Sequence, residues 1–223
     1  MIRLHHVSAS RSFRILWLLE EMGLSCDISH YSITDGSLRD PDFLKISPAG
    51  RVPALEVDGK VIFESPAIVQ YLCESRPLSG MAPGVDHAER VDFLQWLSFA
   101  ETQASILASL NLQVVFLRPP AVASPAVVKL DVARLRKTLK PLEKVLATQE
   151  WLLASGFSAV DTMLGYNLFA VKYFVEMDAF PNVLAYIERI EKRPAYQSAR
   201  ALDGAQEFYS KDFYPVPEGG AGD

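Results

Sequence analysis

The sequence predicts a small α/β unit followed by an all-helical bundle, and three observations carry that prediction. Residues 1–80 switch between strand-like and helix-like hydrophobic periods. The rest reads as one helical stretch after another with no convincing strand. Between the two, Pro77, Gly80, Pro83 and Gly84 interrupt a segment with little apolar pattern, the texture of a linker. The expected division is 1–78 for the α/β unit, 79–87 for the linker, 88–212 for the bundle and 213–223 for a disordered or loosely draped tail.

Residues 2–7 are short and apolar-rich, stop at Ser8-Ala9-Ser10, and give way to Ile15, Leu18, Leu19 and Met22 at helical spacing with Gly23 as C-terminal cap. Residues 26–31 read as a second strand, so the opening is a right-handed βαβ unit with two parallel strands. The segment 35–47 is polar and turn-rich, with one short helix expected over 41–46. Residues 52–57 and 60–64 flank Asp58-Gly59, which supplies the positive φ of a two-residue hairpin. Ser65-Pro66 then opens a helix, serine as N-cap and proline in the first turn. The order βαβ followed by ββα on one sheet is that of a thioredoxin-like core. In the bundle, long helices are expected over 88–117 and 125–148, the second kinked at Pro141, with others starting near Ser158, Pro181 and Pro194.

Composition excludes several classes of function. Asp plus Glu number 27 against 22 Lys plus Arg, a net charge of -5, so there is no positive excess to neutralise a nucleic-acid backbone. Two cysteines, Cys26 and Cys73, make no disulfide framework, no Cys/His cluster has zinc spacing, and no metal is expected. A reduced, cytoplasmic setting fits this cysteine usage. The N-terminus lacks the apolar core of a signal peptide and no apolar run reaches the ~20 residues a bilayer requires, so no membrane association is expected. The four histidines suggest no site: His5 and His6 fall on the first strand, His30 near the second and His87 at a helix start.

Three features fall at successive strand ends, where ligands gather on open α/β sheets. The loop Ser8 to Arg14 opens a helix whose free N-H groups suit an anion, although serines there also serve as plain caps. Val52-Pro53 precedes a strand; a cis bond would turn the Val52 main chain outwards to pair with an extended ligand, whereas an ordinary edge proline is the plain alternative. Glu64-Ser65-Pro66 can hold an α-amino acid head group, the helix start and hydroxyl taking its carboxylate and Glu64 its ammonium, whereas a serine N-cap beside a solvent-facing glutamate is the plain alternative.

The stretches 10–23 (SRSFRILWLLEEMG), 47–55 (SPAGRVPAL) and 63–72 (FESPAIVQYL) resemble the glutathione S-transferase family. So do 157–161 (FSAVD), similar to its capping box, and the segments around Phe180-Pro181-Asn182 and Lys192 to Tyr196, similar to its closing helix pair. The similarity is to serine-type, bacterial and fungal-like cytosolic members and runs from Leu4 to about Ala199. It implies glutathione as co-substrate, with Glu64 and Ser65 on its γ-glutamyl end, the Val52 main chain beside cis-Pro53 on its cysteinyl backbone, Arg51 as an electrostatic partner and Arg39 as a candidate for its glycyl carboxylate. Ser10 would be the catalytic hydroxyl that hydrogen-bonds the sulfur, with Ser8 as competitor; position 9 is Ala where such relatives often carry a polar residue such as Asn.

A hydrophobic electrophile would lie between the two parts, walled by Ser8, Phe99, Gln103 and Leu107 and by Phe208 and Tyr209 of the tail, although aromatic and aliphatic residues at helical spacing are more often bundle core. The resemblance also implies a homodimer, in which Glu101 could reach the neighbouring subunit's peptide. Conjugation of glutathione to electrophiles is the leading activity, reduction of organic hydroperoxides by the same thiolate the second, and a non-catalytic binding or assembly module the rival. The absence of a cysteine in the first loop argues against thiol exchange. Ser158 and Asp161 form a capping box in their own right, a structural device and not a site.

Overall fold

A computed structural model describes residues 1–216. Its α/β part carries strands β1 (Ile2–His6), β2 (Asp27–His30), β3 (Ala54–Val57) and β4 (Lys60–Phe63) with helices α1 (Phe13–Glu21), α2 (Pro41–Ile46) and α3 (Ser65–Ser75). The sheet order is β2-β1-β3-β4: β1 and β2 are parallel, while β3 is antiparallel to both β1 and β4. This is the expected βαβ-ββα order. Asp58 (φ 53°) and Gly59 (φ 72°) turn the hairpin with positive φ at both central positions, as the dipeptide predicted.

The helical part comprises α4 (Arg90–Asn111), α5 (Pro125–Leu146), α6 (Ala159–Val171), α7 (Pro181–Glu191) and α8 (Pro194–Asp203). Several expectations need correction. The helix read over 88–117 is α-helical only to Asn111 and ends in a π turn over Leu112–Phe116. Pro141 lies inside α5 as expected, and the helix runs as one element on both sides of it. Ser65 is not the N-cap of α3 but its first residue; Glu64 occupies the cap at φ 75°. The tail is anchored at Tyr214, which is buried against Phe174 and whose N-H donates to the Tyr173 carbonyl at 2.8 Å, while Phe213, Pro215 and Val216 around it are exposed. Residues 217–223 of that tail lie outside the described residues.

One continuous apolar core joins the two parts. Its bridge is Trp17 of α1, fully buried, edge-on to Tyr196 of α8 and packed on Phe157. Gly165 of α6 admits that indole: a Cβ there would lie 3.0 Å from the Trp17 ring and 2.7 Å from the Ile190 side chain. Glu21, at the end of α1, accepts from the Trp17 ring N-H at 2.8 Å and takes a two-pronged ion pair from Arg193. The capping box opens α6 as predicted, and Asp161 has further bonds. Its buried carboxylate accepts from the N-H groups of Ser158 (2.7 Å) and Leu152 (3.2 Å) and from the Tyr186 hydroxyl (2.7 Å). Among the described residues no helix is long and apolar enough to cross a membrane.

Candidate active site

The turn from α2 into β3 is built by Ser47. Its hydroxyl accepts from the Arg51 N-H at 3.3 Å and donates to the Arg51 carbonyl at 2.7 Å, which fixes the chain just before the cis Val52-Pro53 bond. Ladder pairing of β3 begins only at Ala54, so the N-H and C=O of Val52 have no hydrogen-bond partner among the described residues. On the next strand end, Glu64 is exposed with φ 75° and ψ 116°, a conformation costly for a residue with a Cβ. Ser65 is buried. Pro66 has no N-H, so the free amides of the first turn of α3 are those of Ser65 and Ala67.

These groups surround one cavity of about 220 Å³, lined by Arg51, Val52, Pro53, Glu64 and Ser65 together with Arg11, Ser47, Phe63, Glu101 and Ser105. The lining offers cations at Arg11 and Arg51, anions at Glu64 and Glu101, a helix N-terminus and an unpaired strand edge. That set matches a short zwitterionic peptide lying extended, its backbone paired with Val52 and its charged ends held separately.

The loop between β1 and α1 is held from the helical part. Ala9 has φ 54°, which an alanine adopts only under constraint. Its N-H donates to Asp203 of α8 at 3.0 Å and its carbonyl accepts from the Tyr166 hydroxyl of α6 at 2.9 Å. Arg14 is fully buried and donates to Glu101 of α4 and Asn167 of α6; burial pushes its pKa down and the Glu101 charge opposes that. Ser10 is half-buried and stands beside Arg11, but its hydroxyl lies 2.8 Å from that of Ser12 and does not line the cavity. Ser12 is buried, with its hydroxyl 2.8 Å from Nδ1 of His6.

The structure thus brings five of the predicted peptide-binding residues to one cavity and sets others apart. Arg39 sits in a 3₁₀ turn (Ser37–Arg39) and lines a different depression of about 620 Å³, which shares only Ala49 with the first. Gln103 and Leu107 do not wall an interdomain pocket. Gln103 is fully buried and donates to Thr138 of α5 at 2.9 Å, and Leu107 belongs to the core. Phe99 is half-buried, edge-on to Trp96. Ser8 faces Gly204, its hydroxyl 3.2 Å from where a Cβ would stand. Phe208 packs edge-on to Phe116, and Tyr209 stacks on Tyr173 at 4.0 Å. Glu101 pairs within its own chain, with Arg11 at 3.6 Å as well as Arg14.

Sequence reasoning passed over Arg11, Ser47 and Ser105, polar residues with no spacing signal of their own, and His6 and Asp203, which meet only in the fold. His5, next to His6, points to the other side and bonds Tyr31 and Glu56. Burial raises the thiols of Cys26 and Cys73 to about 11 and about 12, so both are poor nucleophiles at neutral pH.

Comparison with known proteins covers both parts of the chain. The sequence matches the family described as glutathione S-transferase, N-terminal domain, over residues 1–74, and its C-terminal counterpart over 125–189. Glutathione S-transferase 3 of Schizosaccharomyces pombe is 28% identical, the match covering 98% of each chain. A glutathione S-transferase-like protein of Fusarium, LUC7, is 32% identical over 81% of this chain and 84% of its own. A glutathione transferase structure from Methylococcus capsulatus superposes with a TM-score of 0.80 at 28% identity, covering 91% of this chain and 98% of that one. A sphingomonad glutathione S-transferase solved in complex with glutathione gives 0.78 at 26% identity, over 92% and 100%. Both parts of the molecule, the α/β unit with its cavity and the bundle that braces it, match the same family, so the chain belongs to the glutathione S-transferases.

Proposed function

We propose that the cavity between Arg51, Glu64 and Arg11 binds glutathione and that Ser10 serves its sulfur. The protein is a glutathione transferase by family, and its site supports that chemistry residue by residue. Val52 offers an unpaired N-H and C=O for the cysteinyl backbone. Ser65, with the free amides of Ser65 and Ala67, suits the γ-glutamyl carboxylate, and Glu64 suits its ammonium. Arg51 and Arg11 remain for the negative charge of the glycyl end and of the sulfur. The single observation that carries the reading is the convergence of Arg51, Val52, Pro53, Glu64 and Ser65 on one cavity.

The magnitudes close. A free thiol of pKa about 8.5 is only ~3% thiolate at neutral pH, and lowering that pKa by about two units takes roughly 2.7 kcal/mol. A hydroxyl donating to an anion supplies about 1.5–3 kcal/mol and the start of α1 some tenths more. The acceptor in this reading is a hydrophobic electrophile, the active species a symmetric dimer and the setting a reduced cytoplasm, in keeping with two free cysteines.

Calorimetric titration and an aryl-halide conjugation assay test the site. Ser65→Ala should weaken glutathione binding on the order of 10-fold with turnover at saturation little changed. Ser10→Ala should lower turnover about 10- to 100-fold with little effect on affinity. An unchanged dissociation constant in the first variant overturns the head-group assignment, and unchanged turnover in the second overturns the role of Ser10.

A further inference from the structure

Behind Ser10 a chain of polar groups runs into the core. Oγ of Ser10 is 2.8 Å from Oγ of Ser12, which is 2.8 Å from Nδ1 of His6, whose Nε2 is 3.2 Å from Oδ1 of Asp203. His6 and Asp203 are wholly shielded from solvent. The other charged or titratable groups facing this pair are His30 of β2, edge-on to His6 at 5.6 Å, Arg200 of α8, which donates to Oδ2 of Asp203, and the phenols of Tyr166 of α6 and Tyr196 of α8 near Asp203.

Counting protons fixes the direction of the chain. Asp203 receives Arg200 and the Ala9 N-H, so its carboxylate acts as an acceptor and Nε2 of His6 carries a hydrogen. In the neutral ring Nδ1 is then bare, and the Ser12 hydroxyl, whose other acceptor is the Val7 carbonyl at 3.2 Å, donates to it across the shorter 2.8 Å contact. Ser12 therefore accepts from Ser10, whose own hydrogen is spent inwards; the Ser10 oxygen accepts from the Ser12 N-H at 3.3 Å and keeps one lone pair free. In that state Ser10 can accept a thiol S-H but cannot donate to a thiolate.

From this we propose that His6, held by Asp203, is the positioning residue that takes up the proton of glutathione's thiol through Ser12 and Ser10. The inference rests on Ser10 being the sulfur's partner. The S-H proton passes to Oγ of Ser10, the Ser10 proton to Oγ of Ser12, and the Ser12 proton to Nδ1 of His6. The S-H bond and two O-H bonds break; two O-H bonds and one N-H bond form, and no electrons leave the chain. The result is an imidazolium paired with Asp203 and a thiolate that now accepts from Ser10, the donor arrangement that catalysis needs.

The test uses the full-length enzyme and reads two quantities on adding glutathione: thiolate absorbance in the ultraviolet across pH, and protons released to a weakly buffered indicator dye. In the wild type, thiolate should form at neutral pH with clearly fewer than one proton released per thiolate. In His6→Gln the thiolate fraction at neutral pH should fall about tenfold, and each remaining thiolate should release one proton. Affinity for S-methylglutathione, which has no thiol proton, should stay within about threefold, a split that a merely structural role would not produce. Asp203→Asn carries the same readouts should the glutamine variant fail to fold. One proton released per thiolate in the wild type, or an unchanged thiol pKa in both variants, overturns the relay. If Ser10→Ala also leaves the thiol pKa unchanged, the reading of Ser10 fails as well; if that variant raises it while the His6 and Asp203 variants do not, the relay alone fails.

Discussion

Removing the Glu101 carboxylate should destabilise the whole molecule, because it is the anionic partner of a fully buried guanidinium. Arg14 is entirely enclosed, its Nε has no partner, and its charge is met by Glu101 and the Asn167 amide oxygen. Breaking a buried pair from one side costs about 3–5 kcal/mol. Two observations reduce that figure: the Glu101 side chain is 27% exposed, so water can partly replace it, and Asn167 keeps one acceptor in place. Glu101→Ala should therefore cost about 2–3 kcal/mol, and Glu101→Gln, which retains a carbonyl, about 1–2 kcal/mol. Arg14→Met combined with Glu101→Ala should recover part of the loss, leaving a coupling of about 2 kcal/mol in the double-mutant cycle. Urea unfolding at neutral pH, followed by tryptophan fluorescence and far-ultraviolet circular dichroism with coincident transitions, measures it. A coupling within about 0.3 kcal/mol of zero would refute the argument, since it would mean that the guanidinium does not depend on the carboxylate.

Two other predictions concern the frame of the site. Gly165→Ala should destabilise by about 1–2 kcal/mol despite the better helix propensity of alanine, because the new methyl meets the Trp17 ring and Ile190; a rise in melting temperature would count against that packing. Burial raises the Asp161 carboxyl to about 6, above its value of about 3.9 in the unfolded chain. The folded state then holds this proton more tightly than the unfolded one. Its contribution is present in full below about pH 4 and is lost as pH rises through about 6, some 3 kcal/mol in all. The stability advantage of wild type over Asp161→Asn should shrink over that interval, and an advantage that is flat or grows with pH would contradict the assignment.

Much of the fold was legible because its signals are local. Asp58-Gly59 names its own turn, Ser158 and Asp161 their own cap, and the change from strand-like to helix-like periods separates the two parts. The cavity was legible for a related reason: Val52-Pro53 and Glu64-Ser65 sit at strand ends, and a sheet order of β2-β1-β3-β4 brings those ends together. Gln103 and Leu107 take the bundle-core alternative and not the cleft, a choice left open by the sequence because residues at helical spacing along α4 could face either the cleft or α5. Only the position of Thr138 decides that Gln103 turns inwards. Arg39 was misplaced because a turn-rich segment does not reveal its direction from composition, and the 3₁₀ turn carries it to the far side of Ala49.

The loop that carries Ser10 could not be read locally, since its shape is imposed from a distance. Ala9 is held in the left-handed region by Tyr166 and Asp203, and Arg14 by Glu101 and Asn167, all from the helical part. A short serine-rich turn with no glycine has no intrinsic reason to place alanine at φ 54°; an Asn there would enter that region more easily. The strain is instead offset by two hydrogen bonds that span more than 150 residues of sequence. The same Asp203 that straightens the main chain at Ala9 faces His6. Orientation of the Ser10 loop and the polar chain behind it therefore share one carboxylate, so the helical part acts on Ser10, the proposed partner of the sulfur, even though that residue lies in the α/β part.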